Sequence, residues 1–285
     1  MNILSVQSWV AYGHVGNASA MFPLQRLGAE VWAVNTVQFS NHTGYGHWTG
    51  EVFTGEQVDR VIDGIDARGA FERCDAVLSG YMGDRSIGEA VLDAVRRVKA
   101  ANPAALYCCD PVIGDDDTGD YVRPGIPEFM RDHALGLADI ITPNRFEVER
   151  LTGSACATMA DACAAVTALQ AMMAPGIRCV LITSLRTEDT PPDCIDMLAG
   201  EDGRFHLLRT PMHALHINGA GDAIAALFLF HRLQSGSVVR ALEAAGSSIY
   251  GVLKATAAAG SRELLTVAAQ DEFVRPSQEF QARAC

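Results

Sequence analysis

Lysine is almost missing from this 285-residue chain: Lys99 and Lys254 stand alone beside 20 arginines. A Gly-Lys-Ser/Thr phosphate loop needs a lysine after glycine. Neither position supplies one, because Lys99 follows Val98 and Lys254 follows Leu253. A Schiff-base mechanism would have to use one of these two residues. Basic charge as a whole is scarce, 22 residues against 34 acids, for a net charge of −12. That balance argues against the basic stripe of an extended nucleic-acid or anionic-membrane surface, while leaving room for a small anion site. Long apolar runs are missing too. The longest, Ala223 to Phe230, is bounded by Asp222 and His231, far short of the roughly 18 residues of a membrane span. The N-terminal Met-Asn-Ile-Leu-Ser lacks the positive stretch of a signal peptide and reads as a strand. The eight cysteines contain no Cys-x-x-Cys pair and no zinc spacing. They read as buried, reduced thiols of a cytoplasmic protein.

What is present is a 49% hydrophobic fraction, enough for a sizeable core. Short β-rich runs alternate with longer helical ones. Strands are expected at Ile3–Gln7, Val31–Val37, Ala76–Leu78, Ala105–Cys109, Asp139–Ile141 and Cys179–Ile182. An antiparallel pair, Ile195–Leu198 and Arg204–Leu208, turns at Asp202-Gly203. Helices are expected from the Gly13–Asn17 turn to Leu27, with Gly28 as the stop, and at Gly55–Arg68, Ile87–Ala101 and Thr158–Met173. Two or three more run from Asp222 to Ala269, and Phe39–Trp48 reads as a loop. Strands alternating with helices mean βαβ units and a mostly parallel sheet. The expectation is one three-layer α/β domain over residues 1–285.

Ligands of such sheets sit beyond the carboxyl ends of the strands, which here carry Ser8, Tyr81, Asp110, Thr142–Asn144 and Thr183-Ser184. Asn218-Gly219-Ala220-Gly221-Asp222 precedes an apolar helix. Two glycines and a helix start make an anion hole that needs no lysine, with Asp222 as a general base; Asp222 also reads as a plain N-cap. Asn144 and Glu147, three apart, fit either a capping box or an acid ordering a hydrated magnesium ion. Asp110 closes a buried strand and needs a partner. Asp115, Asp116, Asp117 and Asp120 read as a solvated acidic loop, as a metal site, or as a flap. His42 and Thr43 lie among aromatics and suit a flat polar ring, although a satisfied loop histidine fits as well.

Taken in order, these segments resemble the pyridoxal kinases of the ribokinase-like superfamily. The resemblance rests on Val6-Gln7-Ser8, Gly13-His14-Val15-Gly16-Asn17, the block Asn35 to Thr43, Leu78-Ser79-Gly80-Tyr81, Cys109 to Asp115, Ala138 to Asn144 and Gly219-Ala220-Gly221-Asp222. It spans residues 1 to about 235. Gly-Ala-Gly-Asp and Asn-x-x-Glu are shared across the superfamily, whereas Gln-Phe-Ser-Asn-His-Thr is specific to kinases of vitamin B6.

The resemblance implies a ribokinase-like αβα sandwich and ATP-dependent phosphorylation of the 5′-hydroxyl of pyridoxal, with pyridoxamine and pyridoxine as further substrates. Asp222 would be the base, and Gly219, Ala220 and Gly221 would form the anion hole. Ser8, Val15, His42, Thr43 and Tyr81 would hold the ring. Asp110, Thr142, Asn144, Glu147, Thr183, Ser184 and Arg209 would serve the nucleotide, and Asp110, Asp115, Thr142 and Glu147 the cation side. Residues 111–124 would be a flap. Magnesium, a monovalent cation and a homodimer built on Thr49–Thr54 and the flap belong to the same expectation. The sequence departs from the family at His213, His216 and Asn218, and it carries Thr183 where some members have lysine. Two alternatives stand beside this reading: a kinase of hydroxymethylpyrimidine or a sugar, and a B6 binder that transfers nothing.

Overall fold

Adjacent buried residues along the central strands go to different cores. Leu4, Cys109, Ile141, Val180 and Ile182 join one apolar cluster; Ile3, Cys108, Ile140, Cys179 and Leu181 join another. Period-two alternation with both faces apolar is what a sheet covered on both sides requires. The computed structural model, which describes residues 1–215 and 217–285, has that architecture.

In chain order the elements are β1 (Asn2–Val10), α1 (Asn17–Arg26), β2 (Glu30–Phe39), β3 (Gly50–Val52), α2 (Gly55–Asp66), β4 (Ala76–Ser79), α3 (Arg85–Ala101) and β5 (Leu106–Cys109). Then follow β6 (Gly114–Asp115), β7 (Gly119–Asp120), α4 (Ile126–Phe129), β8 (Ile140–Ile141), α5 (Arg145–Thr152), α6 (Met159–Met172) and β9 (Cys179–Leu185). The chain finishes with β10 (Cys194–Glu201), β11 (Arg204–Pro211), α7 (Ala220–Ser235), α8 (Val238–Ala258), α9 (Asp271–Val274) and β12 (Arg283–Ala284).

Among the described residues the main sheet has ten strands in the order β12-β11-β10-β9-β8-β5-β4-β1-β2-β3. From β9 to β2 every neighbour is parallel; β10 to β12 and β3 add antiparallel edges. Helices α2 to α6 contribute Val58, Val91, Phe129, Val148 and Val166 to one core, and α1, α7, α8 and α9 contribute Leu24, Phe228, Leu242 and Phe273 to the other. This is the three-layer α/β sandwich with a mostly parallel sheet.

Local chemistry sets the boundaries. Capping boxes open α2 at Thr54/Gln57, α5 at Asn144/Glu147 and α6 at Thr158/Asp161, each satisfying orphan helix N–H groups. The expected turn at Asp202-Gly203 forms with φ of 52° and 70°, the backbone that suits a two-residue hairpin. Several expectations shift. Phe39 is strand rather than loop, because β2 continues to pair with Gly50 of β3. Helix α3 starts at Arg85 rather than Ile87, since the Asp84 carboxylate caps the Ser86 N–H at 2.9 Å. The acidic 114–120 stretch is a hairpin, β6 against β7, not an open loop.

Candidate functional site

The register of β1 against β2 slips at Ser8: Gln7 pairs with Asn35 and Trp9 with Gln38. Two β2 residues, Thr36 and Val37, thus oppose Ser8 alone, a bulge in β2 that disrupts the ladder beside Ser8. Gly16 packs against Ser8: a Cβ there would run into the Ser8 carbonyl and Oγ, and its φ is 56°. The α7 N-terminus is clamped against the same loop. Gly219, at φ 87°, approaches the His14 carbonyl so closely that no side chain fits, and Ser19 Oγ donates to its carbonyl at 2.7 Å. The first-turn N–H groups of α7 therefore sit in a fixed place, with the positive end of the helix behind them.

Two cavities meet at this helix start. One, of about 310 Å³, is bounded by Ser8, Val15, His42, Thr43, Tyr81, Asp115, Asn218, Gly219 and Asp222. The other, of about 260 Å³, is bounded by Thr183, Ser184, Ala220 and Gly221 together with Ile195, Met197, Leu215, Ile224 and Leu253. Every residue expected around a ring thus reaches the first cavity, and Thr183 and Ser184 reach the second. Ser184 holds a left-handed backbone (φ 51°) inside β9, a conformation that is costly for serine and concentrates at functional positions. His213 also borders the second cavity, its ring 5.0 Å from that of Tyr250. His216 lies outside the described residues.

Asp222 is half-buried at the end of the first cavity. Burial lifts its carboxyl to about 6, although the Gly16 N–H and its own N–H favour the charged form. Close by is a buried acid cluster. Thr142 Oγ1 donates to Asp110 Oδ1 at 2.9 Å. Burial, then Glu147 and then Asp222, push the Asp110 carboxyl well above its usual range. Burial raises Glu147 to about 8, against backbone N–H donors that oppose the rise. Its Oε1 accepts from the Ile113 N–H at 2.9 Å and its Oε2 from the Asn144 N–H at 2.8 Å. Asn144 Oδ1 accepts the reciprocal capping bond from the Glu147 N–H, and its Nδ2 donates to the Gly114 carbonyl at 2.8 Å. The capping box of Asn-x-x-Glu is therefore present, and its carboxylate lies near enough to Asp110 to raise it.

The acidic hairpin is tied to α5 by Arg145 to Asp116 at 2.8 Å and Arg150 to Asp120 at 2.6 Å. Asp115 Oδ1 accepts from the Thr118 N–H at 2.7 Å, so one of its oxygens is committed to its own turn. Arg209, expected among the nucleotide contacts, is held elsewhere. It sits opposite Asp196 in the β10–β11 register and donates two bonds of 2.7 Å to that fully buried carboxylate, borders neither cavity, and serves to keep Asp196 paired.

Glu263 is the site residue that the sequence reading missed. Its Oε1 accepts from the Tyr45 hydroxyl at 2.6 Å and lies 3.1 Å from His42 Nε2. Its Oε2 accepts from the His14 N–H at 3.1 Å. No local pattern marks it, since His42 and Glu263 are 221 positions apart.

This geometry has close counterparts. A family model described as phosphomethylpyrimidine kinase matches residues 24–266. A curated pyridoxal kinase of Granulibacter bethesdensis is 64% identical over 286 residues, covering all of both chains. Another, of Rubrobacter xylanophilus, is 53% identical over 99% of this chain and 97% of its own. The chain belongs to the pyridoxal kinase family. Its fold agrees: pyridoxal kinase from Leishmania donovani in complex with ADP and pyridoxamine superposes with a TM-score of 0.92 at 29% identity, covering 100% of this chain and 99% of that one. The chain places a glycine-lined helix start between its two cavities. None of its described helices is long and apolar enough to cross a membrane.

Proposed function

We propose that this chain transfers the terminal phosphoryl group of ATP to the 5′-hydroxyl of pyridoxal, giving pyridoxal 5′-phosphate in vitamin B6 salvage. The observation that carries the reading is the α7 N-terminus, which presents Asp222 to a polar cavity and Ala220-Gly221 to an apolar one. A ring alcohol in the first and a nucleotide in the second would meet end to end at the anion hole. Membership of the pyridoxal kinases selects pyridoxal among such alcohols, over hydroxymethylpyrimidine or a sugar.

The chemistry asked of the protein is modest. Phosphoryl transfer passes through a loose transition state, so positioning and electrostatics dominate. Asp222 takes the hydroxyl proton. The N–H groups of Gly219 to Asp222 stabilise charge on the transferring group. Ser8 faces the pyridine nitrogen, Thr43 the ring substituents, and Val15, His42 and Tyr81 the ring. Thr183 and Ser184 serve the nucleotide, with Asp110, Thr142, Asn144 and Glu147 towards its phosphates. Residues 1–285 work as one kinase domain, with 111–124 as the flap over the nucleotide.

ATP is tetra-anionic and the protein already carries −12, so a cation is required. The residues fit one. Asp110 and Glu147 are buried; burial and then the Glu147 charge push the Asp110 carboxyl up, burial and Asp115 raise Glu147, and among the described residues no lysine or arginine pairs with either. Nor is there a ready-made cage of three or more His, Cys, Asp or Glu, and both Glu147 oxygens are engaged by N–H groups. That donor set suits Mg²⁺, which keeps several waters and takes phosphate oxygens as ligands. Bound there, Mg²⁺ would neutralise phosphate charge, with Asp110, Asp115, Thr142 and Glu147 holding its hydration shell. A monovalent cation, a homodimer across the β3 edge and a cytoplasmic location complete the proposal.

The test is ADP release with magnesium-ATP, comparing pyridoxal, pyridoxamine, pyridoxine, hydroxymethylpyrimidine and ribose. Turnover on pyridoxal that vanishes in Asp222→Ala is the expected result. Turnover confined to hydroxymethylpyrimidine or ribose overturns the B6 assignment, and pyridoxal binding without ADP release makes the protein a binder.

A further inference from the structure

Glu263 lines neither cavity, yet its carboxylate gathers three donors from the loops that wall the ring pocket. The Tyr45 hydroxyl and His42 Nε2 meet Oε1, and the His14 N–H meets Oε2. The side chains of His42 and Glu263 are only 10% and 13% exposed. The backbone around the acid is itself fixed, because Ser261 Oγ donates to the Glu263 carbonyl at 2.7 Å and accepts from its N–H at 3.1 Å. On its other side His42 Nδ1 lies 3.3 Å from Asn218 Nδ2, one residue before the glycine that opens the anion hole. The His42 ring packs on Tyr45 at 4.6 Å, and the Arg262 guanidinium covers the outer face of Tyr45 at 4.8 Å.

A carboxylate accepts only, and an amide NH₂ donates only. With Glu263 at Nε2 and the Asn218 amide turned so that its NH₂ faces Nδ1, a singly protonated imidazole carries its proton on Nε2. We infer that Glu263 is a positioning residue for the ring substrate: it holds His42 as the neutral Nε2–H tautomer and joins it through Asn218 to the α7 anion hole. The inference rests on the kinase reading for its consequence, substrate affinity, and on geometry alone for the tautomer. A residue of the C-terminal segment thus fixes the tautomer and the orientation of the ring that His42 places at the pocket wall, in the way a hydrogen bond at one ring nitrogen decides the state of the other.

Glu263→Gln tests this with almost no change in volume. Glutamine has one acceptor oxygen where three donors converge, and its NH₂ can only meet Nε2 if the proton moves to Nδ1 and the Asn218 amide turns over. The first measurement is the ¹⁵N signature of the His42 ring in the unliganded wild-type protein, assigned by its loss in His42→Asn. The second is steady-state kinetics of Glu263→Gln. The expected results are an Nε2–H tautomer in wild type, a changed ring signature in the variant, and a roughly tenfold rise in the pyridoxal KM, the scale of one charged hydrogen bond. The ATP KM should stay within about threefold, since losing one pocket contact should not reach the apolar cavity. An Nδ1–H or doubly protonated His42 in wild type overturns the proposal. So does a folded Glu263→Gln that keeps the pyridoxal KM, or one whose two KM values rise together. Absence of pyridoxal turnover in wild type defeats the kinase reading instead, and the tautomer measurement still decides the role of Glu263.

Discussion

On one side of the α7 N-terminus, Ser8, Thr43 and Asp222 present hydrogen-bonding atoms among Val10, Val15, Val37, Phe39 and Val112. On the other, Ile195, Met197, Leu215, Ile224 and Leu253 present hydrocarbon, relieved by Thr183, Ser184 and His213. The polar cavity is built from the ends of parallel strands and the loops that follow them, where side chains and backbone groups leave the sheet unpaired. The apolar one is built where antiparallel β10 and β11 meet α7 and α8, and it continues the core that includes Met197, Ile224 and Ile249. The contrast teaches how one site treats two ligands. A small ring with few distinguishing atoms must be read by directed hydrogen bonds, whose loss is costly. A nucleotide base in the second cavity would be held by packing, and its phosphates by the helix start.

The largest expected effect falls on Asp222, where the first cavity meets the helix start. Asp222→Ala should lower kcat by about 10²–10⁴ with both KM values little changed; an ATP KM rising in proportion would make Asp222 a nucleotide contact rather than the base. The same residue gives a pH dependence. Its carboxyl lies near 6 and must be ionised to act, so kcat/KM for pyridoxal should fall as pH drops through that value and level off above it. A profile flat down to pH 5 would place the proton elsewhere. Next in size, Leu253→Asn puts an amide into the apolar cavity and should raise the ATP KM about tenfold, the scale of one buried aliphatic side chain, leaving pyridoxal unaffected. Smallest, Ser8→Ala should raise the pyridoxal KM by a few fold, one neutral hydrogen bond, with no change for ATP. Either substitution affecting both ligands equally would break the division between the cavities.

Much of this was readable beforehand. The alternation of strand and helix, the strand-end residues Ser8, Tyr81, Asp110 and Thr142, and the Gly-Ala-Gly-Asp helix start are local or periodic signals, and resemblance put them in order. Arg209 was misplaced although its hairpin carried the answer: a turn at Asp202-Gly203 sets Arg209 opposite Asp196, and a buried aspartate claims a guanidinium before any ligand does. Phe39 was read as loop because a strand edge depends on whether β3 arrives to pair with it. The β2 bulge opposite Ser8 has no composition of its own.

What the sequence determined by itself was the set of elements, their order and the chemistry at their ends, because apolar periodicity, caps and turn residues act over a few positions. Tertiary structure alone decided which charges meet. Glu263 reaches His42 across 221 positions, the charges of Glu147 and Asp222 push the Asp110 carboxyl up, and Gly219 is pressed against His14. The pKa of a buried carboxylate and the tautomer of a histidine depend on neighbours that only the folded sheet brings within hydrogen-bonding distance.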